Sequence, residues 1–193
     1  MIIFAKLINF LLHPVVLITP SVFLIIAASG GSIESAFFWS SIALGFVLFI
    51  SLYIYAGMKF GFFSNFDVSK REQRIYLFPV VLFAGVTFLF SLIAFNGPRA
   101  LFLAIIYFLI SVAILALVNL KVKASIHVGS ITAATVSAVY FFGDQYLFLL
   151  VLIPIMAWAR VREKRHTLRE TIVGFFLGFL LALFGIFSVQ YLM

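Results

Sequence analysis

The chain has 193 residues, 65% of them hydrophobic and only 10% charged, with a net charge of +7. A mean hydropathy of +1.27 and 26 Phe exclude an ordinary soluble globule, and the lack of cysteine excludes disulfides, thiolate metal sites and cysteine nucleophiles. The cations lie in short stretches between apolar runs, which fits membrane topology, anionic lipid or a phosphorylated substrate rather than nucleic acid.

A bilayer crossing needs roughly 20 apolar residues, and runs near that length recur at about 8–29, 36–58, 75–95, 100–118, 127–142, 145–159 and 171–192. The first is longer than the roughly 7–15-residue core of a signal peptide. It reads as a retained span bent at Pro14 and Pro20, with His13 at a helix start. The fifth and sixth runs are short and joined by the turn Gly143-Asp144-Gln145. They read either as two full crossings or as a hairpin that does not fully cross. Short alternating strands, the mark of a barrel, are missing. The expected fold is one membrane-embedded domain, 1–193, all-α, a polytopic bundle of six or seven transmembrane helices.

Loops 59–74, 119–126 and 160–170 are separated by pairs of apolar segments, so an even number of crossings puts them on one membrane face. With the N-terminus on that face as well, twelve of the 13 Lys and Arg lie there and only Arg99 lies opposite. The positive-inside rule makes this face cytoplasmic.

The stretch ARVREKRHTLRE, residues 159–170, gathers seven charged residues of a charge-poor chain. Its order is Arg160, five residues, His166, three residues, Glu170. A last helix starting near His166 would set His166 and Glu170 one turn apart on one face. The carboxylate can then fix the imidazole tautomer and leave the other nitrogen to attack, while Arg160 holds anionic oxygens in its planar fork. Gly174, Gly178, Ala182 and Gly185 continue the stripe as a close-packing face. A second polar knot, KVKASIHVGS, crowds Lys121, Lys123, Ser125 and His127 at a helix start, where N–H groups and the helix dipole suit a phosphate. A third, FDVSKREQR, offers Asp67, Lys70, Arg71 and Arg74, and reads equally as phosphate-binding or as a solvated loop. Two histidines, a carboxylate partner and several cations form a kit for phosphoryl transfer without metal or other cofactor.

These residues resemble the type 2 phosphatidic acid phosphatase superfamily of membrane lipid phosphatases. That family carries Ser-Arg, five residues, His, three residues, Asp; this chain has Ala159-Arg160, VREKR, His166, TLR, Glu170. The family's Pro-Ser-Gly-His is similar to Ala124-Ser125-Ile126-His127. The match covers roughly 119–180. It implies that His166 is the nucleophile that becomes phosphorylated, that Glu170 orients it, and that His127 protonates the leaving group. It also implies that Ser125 and Arg160 bind phosphate. The family's first motif, Lys, six residues, Arg-Pro, is absent, and Lys123 or the Lys70, Arg71 and Arg74 cluster stands in its place. The implied substrate is a phospholipid or isoprenoid phosphate taken from the bilayer. The alternative is a catalytically inactive lipid-head-group binder or transporter on the same scaffold. A magnesium-dependent prenyltransferase would need paired Asp-rich motifs, for which six acidic residues in all are too few.

Overall fold

The computed structural model describes residues 1–192, with side chains through Ser188. It is 82% helix with no strand among the described residues, a helical membrane bundle. The helices are α1 (Ile2–Leu11), α2 (Pro14–Ala28), α3 (Ile33–Lys59), α4 (Arg74–Ala94), α5 (Arg99–Asn119), α6 (Ile126–Phe142), α7 (Leu152–Arg162) and α8 (Leu168–Leu192). Short 3-10 segments precede α4 and α7, at Arg71–Gln73 and Asp144–Val151. Among the described residues, six stretches are long and apolar enough to cross a bilayer: Ile2–Ala28, Ile33–Lys59, Arg71–Ala94, Arg99–Asn119, Asp144–Arg162 and Leu168–Ser188. The seventh apolar run, α6, has 17 residues. Large exposed side chains such as Phe37, Leu52, Phe90 and Phe184 suit contact with lipid, since the backbone polar groups beneath them are satisfied within each helix.

The chain forms two compact units. One, Leu17–Lys121, contains α3, α4 and α5. Its core joins Val22, Ile26, Ala36, Trp39, Phe88 and Leu92. The loop ahead of α4 is tied by arginines. The buried Arg74 donates from Nε to the Val68 carbonyl at 3.1 Å and from a terminal nitrogen to Asn119 Oδ1 at 3.2 Å. Asn119 returns a bond to the Arg71 carbonyl, and Arg71 donates to the Lys121 carbonyl just past the end of α5. Val68, a β-branched residue at φ +45°, sits in a backbone region such residues rarely adopt, and Arg74 grips its carbonyl there.

The other unit combines Met1–Val16 with Val122–Met193. In it α1 packs on α7, and α6 packs on α8 and α7. The first apolar run is not one bent helix but two helices, broken at Leu12 and His13. Pro14 has no N–H for the Phe10 carbonyl and drives the residue before it out of the helical region. His13 then opens α2: its Nδ1 accepts the Val15 N–H at 3.2 Å.

The segment before α7 is 3-10 over eight residues, longer than such runs usually last. Pro154 cannot donate to the Leu150 carbonyl and stands in the first turn of α7, where a missing N–H is tolerated. The slimmer helix also rises faster. Residues 144–162 cover about 32 Å as 3-10 plus α, against about 28 Å if all α, and the hydrocarbon core needs about 30 Å.

Helices α6 and α8 touch backbone to backbone. A Cβ on Gly174 would lie 2.5 Å from the Ser125 carbonyl oxygen, one on Gly129 would lie 3.1 Å from the Gly174 carbonyl oxygen, and one on Gly178 would collide with Gly129. Only glycine permits this approach, and it lets the Ser125 N–H reach the Glu170 carbonyl at 3.1 Å.

Candidate functional site

The spacing Arg160, five residues, His166 is the length of a helix ending. Arg165 N–H bonds back to the Arg160 carbonyl at 3.1 Å and Lys164 N–H to the Val161 carbonyl at 3.0 Å, with Lys164 in the left-handed region at φ +57°. This is a Schellman motif, with lysine in the place glycine usually takes. His166 N–H reaches the same Arg160 carbonyl at 3.3 Å. The motif therefore turns the chain at the end of α7 and delivers His166 beside Arg160. The Arg160 side chain is fully buried, and His166 is 5% exposed.

The spacing His166, three residues, Glu170 is the length of a helix beginning. The last helix starts at Leu168, two residues later than the sequence suggests, so His166 lies just outside it. Thr167 and Glu170 form a capping box: Glu170 N–H donates to Thr167 Oγ1 at 3.3 Å, and the Glu170 carboxylate accepts Thr167 N–H at 3.2 Å. The same carboxylate oxygen meets His166 Nδ1 at 2.8 Å. An ionised carboxylate only accepts hydrogen bonds, so Nδ1 carries a proton and, in the neutral ring, Nε2 the lone pair. The expected contact is present, produced by a cap rather than by two residues on one helical face.

Lys123 completes the surroundings of Glu170. Its ammonium lies 3.3 Å from that oxygen and donates to the Arg165 carbonyl at 3.1 Å. Ser125 is fully buried and caps α6, its Oγ accepting Val128 N–H at 3.5 Å. His127, in the first turn of α6, is 5% exposed. Through these bonds the start of α6, the end of α7 and the start of α8 converge, bringing Lys123, Ser125, Arg160, His166 and Glu170 together with His127 two residues past Ser125.

Lys70, Arg71 and Arg74 belong to the other unit. Lys70 is exposed, while Arg71 and Arg74 spend hydrogen bonds on Lys121, Val68 and Asn119.

Sequence reasoning gave His13 a place at a helix start and nothing more. Its ring also packs edge-on against that of His127, centroids 4.6 Å apart and planes at 85°. A bond from Asn9 Nδ2 to the Glu163 carboxylate ties the end of α1 to the Arg160–His166 turn. The signal available in the sequence was a histidine directly ahead of a helix-breaking proline; its long-range partner leaves no local trace.

Comparison with protein-family models, curated proteins and solved structures found no match.

Proposed function

We propose that this protein is a membrane phosphatase that hydrolyses a lipid phosphate or isoprenoid diphosphate through a phosphohistidine, as members of the type 2 phosphatidic acid phosphatase superfamily do. The observation that carries the reading is the 2.8 Å contact of Glu170 with His166 Nδ1, beside a buried Arg160. In the neutral ring it puts the lone pair on Nε2, the nitrogen that would attack phosphorus.

In the proposed reaction His166 Nε2 forms a bond to phosphorus as the bond from phosphorus to the lipid oxygen breaks. His127, protonated, gives its proton to that oxygen. The positive charge that develops on the His166 ring is stabilised by Glu170, and Arg160, Ser125 and Lys123 hold the phosphoryl oxygens. Water then attacks phosphorus, His127 takes its proton back, the P–N bond breaks and phosphate leaves. The apolar tail stays among the helices while the head group meets the basic face, which the distribution of Lys and Arg makes cytoplasmic.

The test is phosphate release from a panel of lipid phosphates and isoprenoid diphosphates in EDTA, with His166→Ala in parallel. Turnover by the parent that His166→Ala abolishes is the expected result. Lipid-phosphate binding without turnover of any substrate would instead make the protein a head-group binder. Sidedness is tested separately: cysteines placed at the exposed Ser64 and Ser32 should label from opposite sides, position 64 from within.

A further inference from the structure

We propose that Lys123 is a positioning residue as well as a phosphate ligand: by sharing the Glu170 carboxylate it keeps the His166 ring neutral, so that Nε2 holds its lone pair until a phosphoryl group arrives. What this does for the rate rests on the phosphatase reading; the charge on the ring does not. Three donors converge on one oxygen of Glu170, Oε2: His166 Nδ1 at 2.8 Å, Thr167 N–H at 3.2 Å and the Lys123 ammonium at 3.3 Å. Lys123 also donates to the carbonyl of Arg165, the residue directly before His166, at 3.1 Å. It therefore spans the turn, and it cannot leave the carboxylate without straining a second bond.

A carboxylate bonded to an imidazole favours the imidazolium, which has no lone pair on Nε2. A cation on the same oxygen acts the other way, offsetting the negative charge and opposing a second positive charge on the ring. The His166 side chain is wholly buried, and those of Lys123 and Glu170 are 28% and 22% exposed, so salt screens the three groups weakly. Other ionisable groups on the elements that meet here are the buried Arg160 of α7 and His127 of α6, the half-buried Arg165, and Glu163, which is bonded to Asn9 of α1. Arg162, Lys164 and Arg169 are exposed to solvent. What sets Lys123 apart is contact with the oxygen that His166 uses. Orienting that oxygen does not call for a lysine, since the capping bond from Thr167 already holds it; a lysine adds charge. An ammonium has three N–H groups. Phosphoryl oxygens that take the third share its charge, and the balance on the ring tips toward the cation as the bond to phosphorus forms.

The experiment uses the full chain labelled with 15N-histidine in detergent micelles. The His166 ring is titrated by NMR, and phosphate release from lipid phosphates is followed across pH. Lys123→Gln keeps N–H donors but loses the charge, Lys123→Met loses both, and Lys123→Arg keeps both; thermal unfolding identifies the folded variants. The parent ring should be neutral, with Nε2 bare, at neutral pH. In the two uncharged variants the His166 midpoint should rise by about one pH unit or more, the usual size of a neighbouring charge's effect. The acid limb of kcat/KM should rise with it, so that turnover lost at neutral pH returns in alkali. Lys123→Arg should follow the parent. Loss of an anchor alone would lower the rate at every pH and leave the midpoint in place. An unmoved midpoint in the uncharged variants, or a Lys123→Arg protein that titrates as they do, overturns the proposal and leaves the phosphatase reading standing. A parent ring protonated on both nitrogens at neutral pH overturns it directly. A midpoint that moves in a protein that releases phosphate from no substrate overturns the phosphatase reading, while the control of ring charge by Lys123 stands.

Discussion

The loop ahead of α4 and the loop ahead of α8 are both rich in arginine, yet their polar groups end in different places. In the first, Arg74 and Arg71 reach backbone carbonyls and the side chain of Asn119. In the second, His166 and Lys123 meet on one carboxylate, that of Glu170. A guanidinium bonded to carbonyls fastens a loop to the end of a helix and is consumed in doing so. A carboxylate bonded to an imidazole sets which nitrogen holds the proton, and so confers a chemical property on the ring. What distinguishes the two regions is the imidazole held by a carboxylate.

The sharpest way to break this contrast is to remove the ring. His166→Ala should reduce turnover to background while lipid-phosphate binding persists, and His127→Ala should slow turnover by roughly 10²–10⁴-fold, the usual worth of a general acid; phosphate release and lipid binding are measured side by side. In the other loop, Arg74→Ala should behave in the opposite sense, costing about 1.5–3 kcal/mol of stability while the folded protein turns over substrate as before. An Arg74→Ala protein that melts like the parent but has lost activity would dissolve the comparison.

Gly174→Ala should cost about 1–3 kcal/mol through overpacking and lower turnover too, because the added methyl meets the Ser125 carbonyl and parts α6 from α8; thermal unfolding and initial rates report the two effects. A finer cut separates the two duties of Glu170. Glu170→Gln retains a capping acceptor and should keep the melting temperature but lose rate, because an amide cannot stabilise a positive ring. Thr167→Ala should do the reverse, losing about 1 kcal/mol of helix capping with little change in rate. The smallest effect is expected at Lys164. Replacing it with Gly relieves a left-handed conformation and should raise stability by about 1 kcal/mol, visible as a higher unfolding midpoint with unchanged turnover.

The apolar runs made the membrane helices legible, because a span's length and composition are set by the bilayer and not by its neighbours. The spacing from Arg160 to His166 to Glu170 was legible for a different reason. It is set by local hydrogen-bond rings, a Schellman turn and then a capping box, which have fixed residue counts. What the sequence withheld is what depends on distant partners. Nothing near Arg74 announces Asn119, 45 residues away, and nothing near His13 announces His127. The 3-10 stretch from Asp144 was also hidden, since its composition is that of any apolar helix.

The unit that carries the candidate site is assembled from the two ends of the chain, and this bears on the order in which its helices are made. Helix α1 leaves the ribosome well over a hundred residues before α7, on which it packs. It must remain in the bilayer without that partner through the interval. The stretch from Asp144 to Arg162 arrives to find its partner already in place. The two differ in mean hydropathy over their 18-residue windows, 2.3 within Ile2–Ala28 and 1.4 within Asp144–Arg162. The early helix is apolar enough to insert unaided, whereas the late one can carry Arg160 and Arg162 into the membrane boundary because a waiting helix receives it.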